Sequence, residues 1–474
     1  MNVTGNRDKE SRKHCKNSGW PQRDSAEHKE YAGALTDSGI TENNITNADR
    51  PEGGLLEEIL CPSNLNQAYK RVKKNKGAGG VDGMNVEDLL QYLKDNGEEI
   101  RQTIKDGKYR PQPVRRVEIP KENGKKRKLG IPTAVDRVIQ QAIAQILTPI
   151  YEPQFSDNSY GFRPRRSAHD AIRACQENIR DGYKYVVDMD LEKFFDTVNQ
   201  SKLIEILSRS IKDGRVISLI HKYLRAGVVT RVGRFEKTEL GVPQGGPLSP
   251  LCGNILLNEL DWELERRGHR FVRYADDMLI LCKSKRAAKR TLENLIPFIE
   301  RKLFLKVNRE KTEVAYVGKV RFLGYAFYIN KNRDVGLRVH LKSVAKMKAK
   351  IRLITARSNG MGYGQRKLKL KQFITGWVNY FKLADMRKLL KTIDKWLRRR
   401  IRMVIWKQWK RVRTRYAMLK KLDIVDWVAW KGANIRKGYW RCARNPIIAK
   451  AISAERLKKA GYLNFLEYYE SVRA

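Results

Sequence analysis

Aspartates stand at the ends of two strand-like segments of the sequence, where they could bind metal ions. Period-two alternation in the first segment places Asp188 and Asp190 on one face of a strand. The second segment, residues 271–281, reads as two short apolar strands joined at Asp276 and Asp277, which predicts a β-hairpin with carboxylates at its tip. An Asp-Asp pair alone is typical of an ordinary turn. A metal site is favoured because the other segment, with Asp188 and Asp190, also carries aspartates at its end.

Carboxylates that gather at one place repel one another unless hard cations neutralise them. Two Mg²⁺ ions about 3.5 to 4 Å apart are the usual solution in enzymes of in-line nucleotidyl transfer. One ion would lower the pKa of a primer 3′-hydroxyl, and the other would hold a triphosphate and its leaving pyrophosphate. The two segments therefore predict a nucleotidyltransferase that uses two Mg²⁺ ions.

The charge of the chain indicates a polyanionic partner. Its 474 residues include 97 Lys and Arg against 52 Asp and Glu, a net charge of +45. Self-repulsion of this size favours nucleic acid as the partner. The hydrophobic content of 41% is too high for a disordered basic tail. The charge is therefore expected on a folded surface.

Other classes of protein are disfavoured by what the sequence lacks. No run of about 18 apolar residues could span a membrane, and the acidic N-terminal region does not resemble a targeting peptide. The six cysteines are scattered and never paired as Cys-x2-Cys, which is typical of free thiols and not of a zinc ribbon. We therefore expect a cytoplasmic protein without a membrane partner.

The last 134 residues carry more than half of the net charge. Residues 341–474 contain 36 Lys and Arg against seven Asp and Glu, or +29, together with seven of the nine tryptophans. Over residues 393–412 an apolar stripe recurs every three or four positions, with basic residues largely off it. This pattern predicts a helix with a buried face and a basic face, on which Arg398, Arg399 and Arg402 are candidate RNA contacts.

The acidic segments belong to a longer series of motifs. Residues 274–277 (Tyr-Ala-Asp-Asp) resemble the catalytic box of reverse transcriptases, and residues 190–196 (Asp-Leu-Glu-Lys-Phe-Phe-Asp) resemble the partner box before it. Further boxes stand in the expected order at residues 119–132, 160–164, 241–250 and 322–325. With residues 376–381 and the basic helices after them, the series resembles group II intron reverse transcriptase/maturases over roughly residues 60–474.

The resemblance implies an α+β right-hand polymerase. Fingers and palm, with an antiparallel sheet, would span residues 55–335, and an α-helical thumb or maturase domain would span residues 341–430. Residues 431–474 would form a short basic segment with a DNA-binding role. Residues 1–54, rich in acids and amides and without apolar periodicity, are expected to be a flexible extension.

The resemblance also implies roles for single residues. Asp190, Asp276 and Asp277 would be the metal ligands, with the backbone carbonyl of Leu191 as a further ligand. Lys121 and Arg127 would clamp the incoming triphosphate, since their charge neutralises phosphate as it redistributes; a solvated basic hairpin is the alternative.

The remaining implied contacts concern the nucleotide. Phe194 would be a steric gate against a 2′-hydroxyl, and the alternative is a core phenylalanine. Gln244 would line the nucleotide pocket, with Gly245 and Gly246 allowing close backbone approach. Arg163 is expected to contact the template or the nucleotide.

The leading function is an RNA-directed DNA polymerase that binds its group II intron RNA and assists splicing and target-primed mobility. Its partners would be that RNA, an RNA template, a DNA primer or target, and dNTPs. The paired cysteines of the family's C-terminal endonuclease are missing, so second-strand cleavage is not expected. Two alternatives stay open: a retron-, diversity- or CRISPR-associated reverse transcriptase, and a non-enzymatic RNA-binding splicing factor. The intact aspartates disfavour the second, because carboxylates beside a polyanion weaken RNA binding.

Overall fold

The computed structural model describes residues 54–120, 124 and 126–473. The predicted extension therefore lies, except for Gly54, outside the described residues. The first elements are α1 (Leu55–Leu60), α2 (Pro62–Asn75), α3 (Leu89–Lys105), β1 (Val114–Pro120), β2 (Lys126–Ile131), α4 (Ala134–Tyr151), a 3-10 turn (Glu152–Gln154) and α5 (Ala168–Arg180). Helix α4 begins where the Thr133 side chain accepts a hydrogen bond from the Asp136 amide, which caps the helix.

The central part of the chain holds the acidic segments. Its elements are β3 (Tyr185–Met189), α6 (Phe194–Thr197), α7 (Gln200–Ser210), α8 (Gly214–Arg225), β4 (Val228–Val229), β5 (Phe235–Glu236), α9 (Ser249–Arg266), β6 (Arg270–Tyr274), β7 (Asp277–Cys282), α10 (Lys285–Lys302) and β8 (Glu313–Tyr316). Strands β6, β7, β3 and β8 form, in this order, an antiparallel four-stranded sheet, here called the palm sheet. A second sheet has the order β2-β1-β4-β5.

The palm sheet is buried on both faces, which explains its continuous apolar strands. Val187 and Ile280 belong to a core that they share with α1, α4 and α9. Val186 and Leu279 point to the opposite face and belong to a second core, which continues into the helices after residue 341. The sheet thus separates two cores, and its strands are fixed from both sides.

The C-terminal part is mainly helical, as predicted. After a 3-10 turn (Val317–Lys319) and a small sheet of β9 (Arg321–Phe322), β10 (Tyr325–Ile329) and β11 (Val335–Val339), the helices are α11 (Leu341–Ile354), α12 (Tyr363–Phe381), α13 (Arg387–Gln408), α14 (Val412–Lys421), α15 (Asp426–Ala433), α16 (Tyr439–Cys442), α17 (Pro446–Ala451), α18 (Ala454–Lys459) and α19 (Phe465–Ser471). The predicted α+β class is confirmed.

The predicted helix over residues 393–412 is α13, but its bounds differ. It begins at Arg387 and ends at Gln408, because Trp409 leaves the helical conformation and packs edge-on against Trp406. Lys410 and Arg411 therefore lie beyond the helix, and the prediction that they continue its basic face is wrong.

Residues 431–473 pack into the same core as the preceding helices. Phe465 and Tyr469 of α19 have no exposed surface. The buried carboxylate of Asp394 on α13 accepts hydrogen bonds from the amides of Phe465 and Leu466, at 2.9 and 3.0 Å, and so caps α19. The chain after residue 431 is thus part of the helical core and not an independent tail.

Candidate active site

The predicted β-hairpin is present, and its tip carries two of the predicted aspartates. β6 and β7 pair with Tyr274 opposite Asp277, so Ala275 and Asp276 form a two-residue turn. Ala275 has a φ of 56°, the left-handed conformation that such tight turns require. Asp276 and Asp277 are both exposed to solvent.

The end of β3 lies beside this turn. In the β3–β7 register Met189 stands opposite Met278, which brings the next residue, Asp190, next to Asp277. The fold therefore gathers Asp190, Asp276 and Asp277 at one end of the palm sheet, as the sequence predicted. Their role as metal ligands stays a prediction.

Two carboxyl groups at this end of the palm sheet, those of Asp277 and Asp188, have raised pKa values. Dense protein surroundings, which limit hydration even of this accessible side chain, raise the pKa of Asp277 to about 7, and the charges of Asp276, Asp188 and Asp190 add to the shift. Burial, then Glu313 and Asp190, raises the pKa of Asp188 to about 6. Asp188 stands directly opposite Glu313 in the β3–β8 pairing. This end of the sheet is a concentration of negative charge that a divalent cation would relieve.

Asp190 is held by a loop that the sequence analysis missed. Asn308 Nδ2 donates to Asp190 Oδ2 at 2.9 Å, and Lys311 Nζ approaches the same oxygen at 2.9 Å. The Asp190 amide donates to Thr312 Oγ1 at 3.2 Å, and Leu191 forms an isolated β-bridge with the residue that precedes Asn308. The only signal in the sequence was the polar stretch at residues 308–313. The ammonium group of Lys311 therefore neutralises the Asp190 carboxylate in this structure.

The carboxylates at this site are the kind of donor that a hard cation prefers, but they do not stand close enough together to bind one ion in the present conformation. Carboxylate oxygens are the donors that Mg²⁺ prefers. Within the described residues, no three His, Cys, Asp or Glu side chains stand close enough to hold an ion in the present conformation. Asp190, occupied by Lys311 and Asn308, would have to exchange these partners for a metal ion.

A buried arginine positions the hairpin turn. Arg273 and Asp261 have no exposed surface, and Arg273 Nε donates to Asp261 Oδ1 at 2.8 Å. Arg273 Nη1 donates to Asn254 Oδ1 at 2.9 Å and to the carbonyl of Ala275 at 3.1 Å. Asn254 in turn donates to the carbonyl of Gly161 at 2.8 Å. Helix α9 thus holds the turn through side chains that all have partners.

Gly161 is needed because the chain passes close to the turn. A Cβ at this position would lie 2.3 Å from the amide nitrogen of Ala275. The amide of Tyr160 donates to the carbonyl of Arg273 at 2.9 Å, which fixes this approach. The motif at residues 160–164 therefore supports the turn by its backbone.

Arg163, from the same motif, does not have its predicted role. Its side chain is buried and donates to Glu152 Oε1 at 3.0 Å and to the carbonyl of Ser159 at 2.9 Å. Its guanidinium also lies 5.3 Å from the ring centroid of Phe155. The prediction of a template or nucleotide contact is wrong, because these internal carbonyls and a carboxylate occupy its donors.

The predicted triphosphate residues lie on the second sheet. Arg127 is exposed on β2, opposite Ile119, whereas Lys121 lies outside the described residues. The backbone carbonyl of Gln244 accepts a hydrogen bond from the Gly130 amide at 2.8 Å, which joins its loop to the strand of Arg127. A Cβ at Gly245 would lie 2.6 Å from the Gly130 carbonyl oxygen. The loop therefore passes close to the backbone of β2 at Gly245, and a close approach of a nucleotide there stays a prediction.

The two phenylalanines after Asp190 differ in exposure. Phe194 is 3% exposed and lies in the core, with its ring centroid 5.0 Å from that of Phe195. Phe195 is half-buried, and its carbonyl accepts a hydrogen bond from the Val242 amide at 2.7 Å. Phe194 stays the predicted gate, but Phe195 is the ring with accessible surface.

The three predicted RNA contacts on α13 are half-exposed. The guanidinium of Arg399 lies 3.8 Å from the ring centroid of Trp440 and donates to the Trp440 carbonyl at 3.0 Å. Arg402 donates to the carbonyl of Ile452 at 2.8 Å. Both therefore also tie α13 to the residues after 431. An RNA role for them and for Arg398 stays a prediction.

Two family models match the chain. Residues 119–327 match reverse transcriptase (RNA-dependent DNA polymerase), a range that includes all three aspartates. Residues 344–422 match the group II intron, maturase-specific domain.

Among the helices of the described residues, none combines the length and the apolar character that a membrane-spanning segment needs.

Curated relatives agree with these models. The chain is 35% identical to protein YkfC of Escherichia coli over 326 residues, 60% of this chain and 85% of YkfC. It is 33% identical to the group II intron-encoded protein LtrA of Lactococcus lactis over 362 residues, 62% of this chain and 60% of LtrA. A putative COX1/OXI3 intron 2 protein of Saccharomyces cerevisiae is 28% identical over 399 residues, 68% of this chain and 46% of that protein. The chain thus spans about three-fifths of the length of LtrA.

Proposed function

We propose, since this chain belongs to the family of group II intron reverse transcriptases and maturases, that it copies RNA into DNA and binds its own intron RNA to assist splicing and mobility. The observation that carries the proposal is the gathering of Asp190, Asp276 and Asp277 at one end of the palm sheet, within the polymerase match. The adjoining maturase match supports the RNA-binding part.

The three aspartates, with the backbone carbonyl of Leu191, would hold two Mg²⁺ ions. When bound, the ions would activate the primer 3′-hydroxyl and stabilise the leaving pyrophosphate. To bind an ion, the Asp190 carboxylate would release Lys311. Asp277, whose pKa is raised, would lose its proton when the ion binds. The clamp on Asp190 and the Arg273 network would keep the carboxylates in place.

Nucleotide binding would take place between the second sheet and the aspartates. Arg127, together with Lys121, would neutralise the triphosphate, and Gln244 would line the pocket. The hydrogen bond from Gly130 to Gln244 supports this assignment, because it links the pocket to the strand that carries Arg127. Phe194, or the more accessible Phe195, would exclude ribonucleotides by contact with the sugar.

The proposed partners are intron RNA, an RNA template, a DNA primer or target, and dNTPs, within a cytoplasmic ribonucleoprotein. The excess of basic residues after residue 341 supports polyanion binding. A retron-, diversity- or CRISPR-associated enzyme is the second candidate for the polymerase. The maturase-specific match over residues 344–422 favours the intron-encoded enzyme.

One experiment tests both halves of the proposal. The protein is expressed with and without flanking intron RNA, and splicing and cDNA synthesis are measured in the same preparation. Asp277→Asn should abolish cDNA synthesis and leave RNA binding and splicing, because only a metal ligand is lost. Asp181→Asn, at an exposed position before β3, is the control. An Asp277→Asn enzyme that extends primers normally would refute the metal site, and wild-type protein that never promotes splicing would refute the maturase role.

A further inference from the structure

A cleft lies between α13 and the turn that leads into α16. Its cavity measures about 740 Å³ and is lined by Arg357, Arg400, Met403 and residues 438–441. This volume falls within the range of about 300 to 1,000 Å³ that is usual for ligand clefts. The cleft belongs to the helical part of the chain and shares no residue with the site at the palm sheet.

The lining has the chemistry of a nucleotide site. It contributes the guanidinium groups of Arg357, Arg400 and Arg441, and none of the described lining residues is acidic. Arg357 and Arg441 are exposed, so their charge is available to a ligand. Tyr439 and Trp440 add two aromatic rings. Cations without carboxylates select an anion, and rings beside them select a planar group.

The Trp440 ring and the Arg400 side chain are fixed before any ligand binds. The guanidinium of Arg399 covers Trp440 at 3.8 Å from the ring centroid, and that of Arg357 lies 5.2 Å from the Tyr439 ring. Arg400 Nε donates to Thr355 Oγ1 at 2.7 Å, which orients its side chain. Preorganisation of this kind lowers the entropy that a ligand must lose on binding.

We propose that this cleft binds an unpaired nucleotide of an RNA strand, with its base against Tyr439 and Trp440 and its phosphates on Arg357 and Arg441. A base-paired strand would not suit it, because duplex RNA presents backbone and minor groove and keeps its base faces stacked. The maturase match ends at residue 422, so four of the seven lining residues, 438–441, lie beyond it. The inference rests on the proposed RNA-binding function.

The test measures binding of labelled single-stranded oligouridylate and of a labelled RNA duplex to the full chain over a range of salt concentrations. Arg357→Gln/Arg441→Gln should flatten the slope of log K against log salt for the single strand by about 1.4, or about 0.7 for each phosphate contact. Arg411→Gln/Arg413→Gln removes the same charge from exposed positions outside the cleft and is the control. Tyr439→Leu should weaken single-strand binding by about 5- to 150-fold without changing the salt slope.

Each possible result of these binding measurements either supports or overturns the proposed nucleotide site. Loss of single-strand binding in the two cleft variants, with duplex binding and the control unchanged, supports the cleft. Equal affinities of wild type and cleft variants overturn it, and so does an equal loss of duplex binding, which would indicate a general phosphate surface. Tighter binding of ATP than of the strand would overturn the assignment to RNA. Wild-type protein that binds no RNA at all would instead refute the underlying function.

Discussion

Substitution of Arg273 tests how the hairpin turn that carries Asp276 and Asp277 is positioned. Replacing it with Met leaves the Asp261 carboxylate buried without its partner, since both side chains have no exposed surface. Breaking a buried ion pair from one side costs about 3 to 5 kcal/mol. The thermal midpoint of Arg273→Met should therefore fall by several degrees, and cDNA synthesis should fall with it.

The double variant Arg273→Met/Asp261→Leu separates stability from positioning. Replacing both members of a buried pair with apolar residues is often neutral or stabilising, so the thermal midpoint should return towards that of the wild type. The carbonyl of Ala275 still lacks the donor that lay 3.1 Å away. A displacement of about 1 Å in a catalytic group can cost about 100-fold in rate, so primer extension should stay low by roughly this factor.

The assay is steady-state primer extension on an RNA template, with the thermal midpoint measured on the same preparations. Arg270→Met, at an exposed position on the same strand, is the matched control and should change neither quantity. A double variant with wild-type stability and a wild-type extension rate would refute the positioning role of Arg273.

Other predictions concern single side chains. Phe195→Val should raise ribonucleotide incorporation, measured as the ratio of catalytic efficiencies for dNTP and rNTP; if only Phe194→Val does so, the buried ring is the gate. Lys311→Met should lower the Mg²⁺ concentration for half-maximal extension by up to about fivefold, because no ammonium competes for the carboxylate; an unchanged value would contradict the competition. With the pKa of Asp277 at about 7, its ionised fraction and the apparent Mg²⁺ affinity should rise about tenfold from pH 6 to pH 8, and a flat profile would contradict the assignment. Arg398→Gln should flatten the salt slope of RNA binding by about 0.7 without lowering the thermal midpoint; no change would indicate a merely solvated side chain.

Much of the active site could be predicted because its signals are local. The alternation at Asp188 and Asp190 and the Asp276-Asp277 turn are encoded within a few residues of each other, so the strand and the hairpin followed from period and turn chemistry. The basic helix was also predicted, because the stripe through Ile401 is a local period.

The missed features depend on contacts between distant segments. Lys311 meets Asp190 across 121 positions, and Arg402 meets the Ile452 carbonyl across 50. Arg163 was predicted to contact the template or the nucleotide, but its donors turn inward to Glu152 and to nearby carbonyls. No period or motif records such pairings, since they arise only when the chain is folded.

The position of the palm sheet between two cores has a consequence for synthesis on the ribosome. Val187 and Ile280 can be covered by helices made before or soon after them, whereas the face of Val186 and Leu279 is covered by residues that include Trp377 and Phe465. A nascent chain that has just completed β7 therefore has this face covered only by α5, without the C-terminal helices, and partly exposed apolar surfaces of this kind are prone to aggregation. The palm sheet is thus fully packed only after the residues beyond 341 have been made, so premature termination should yield an aggregation-prone fragment.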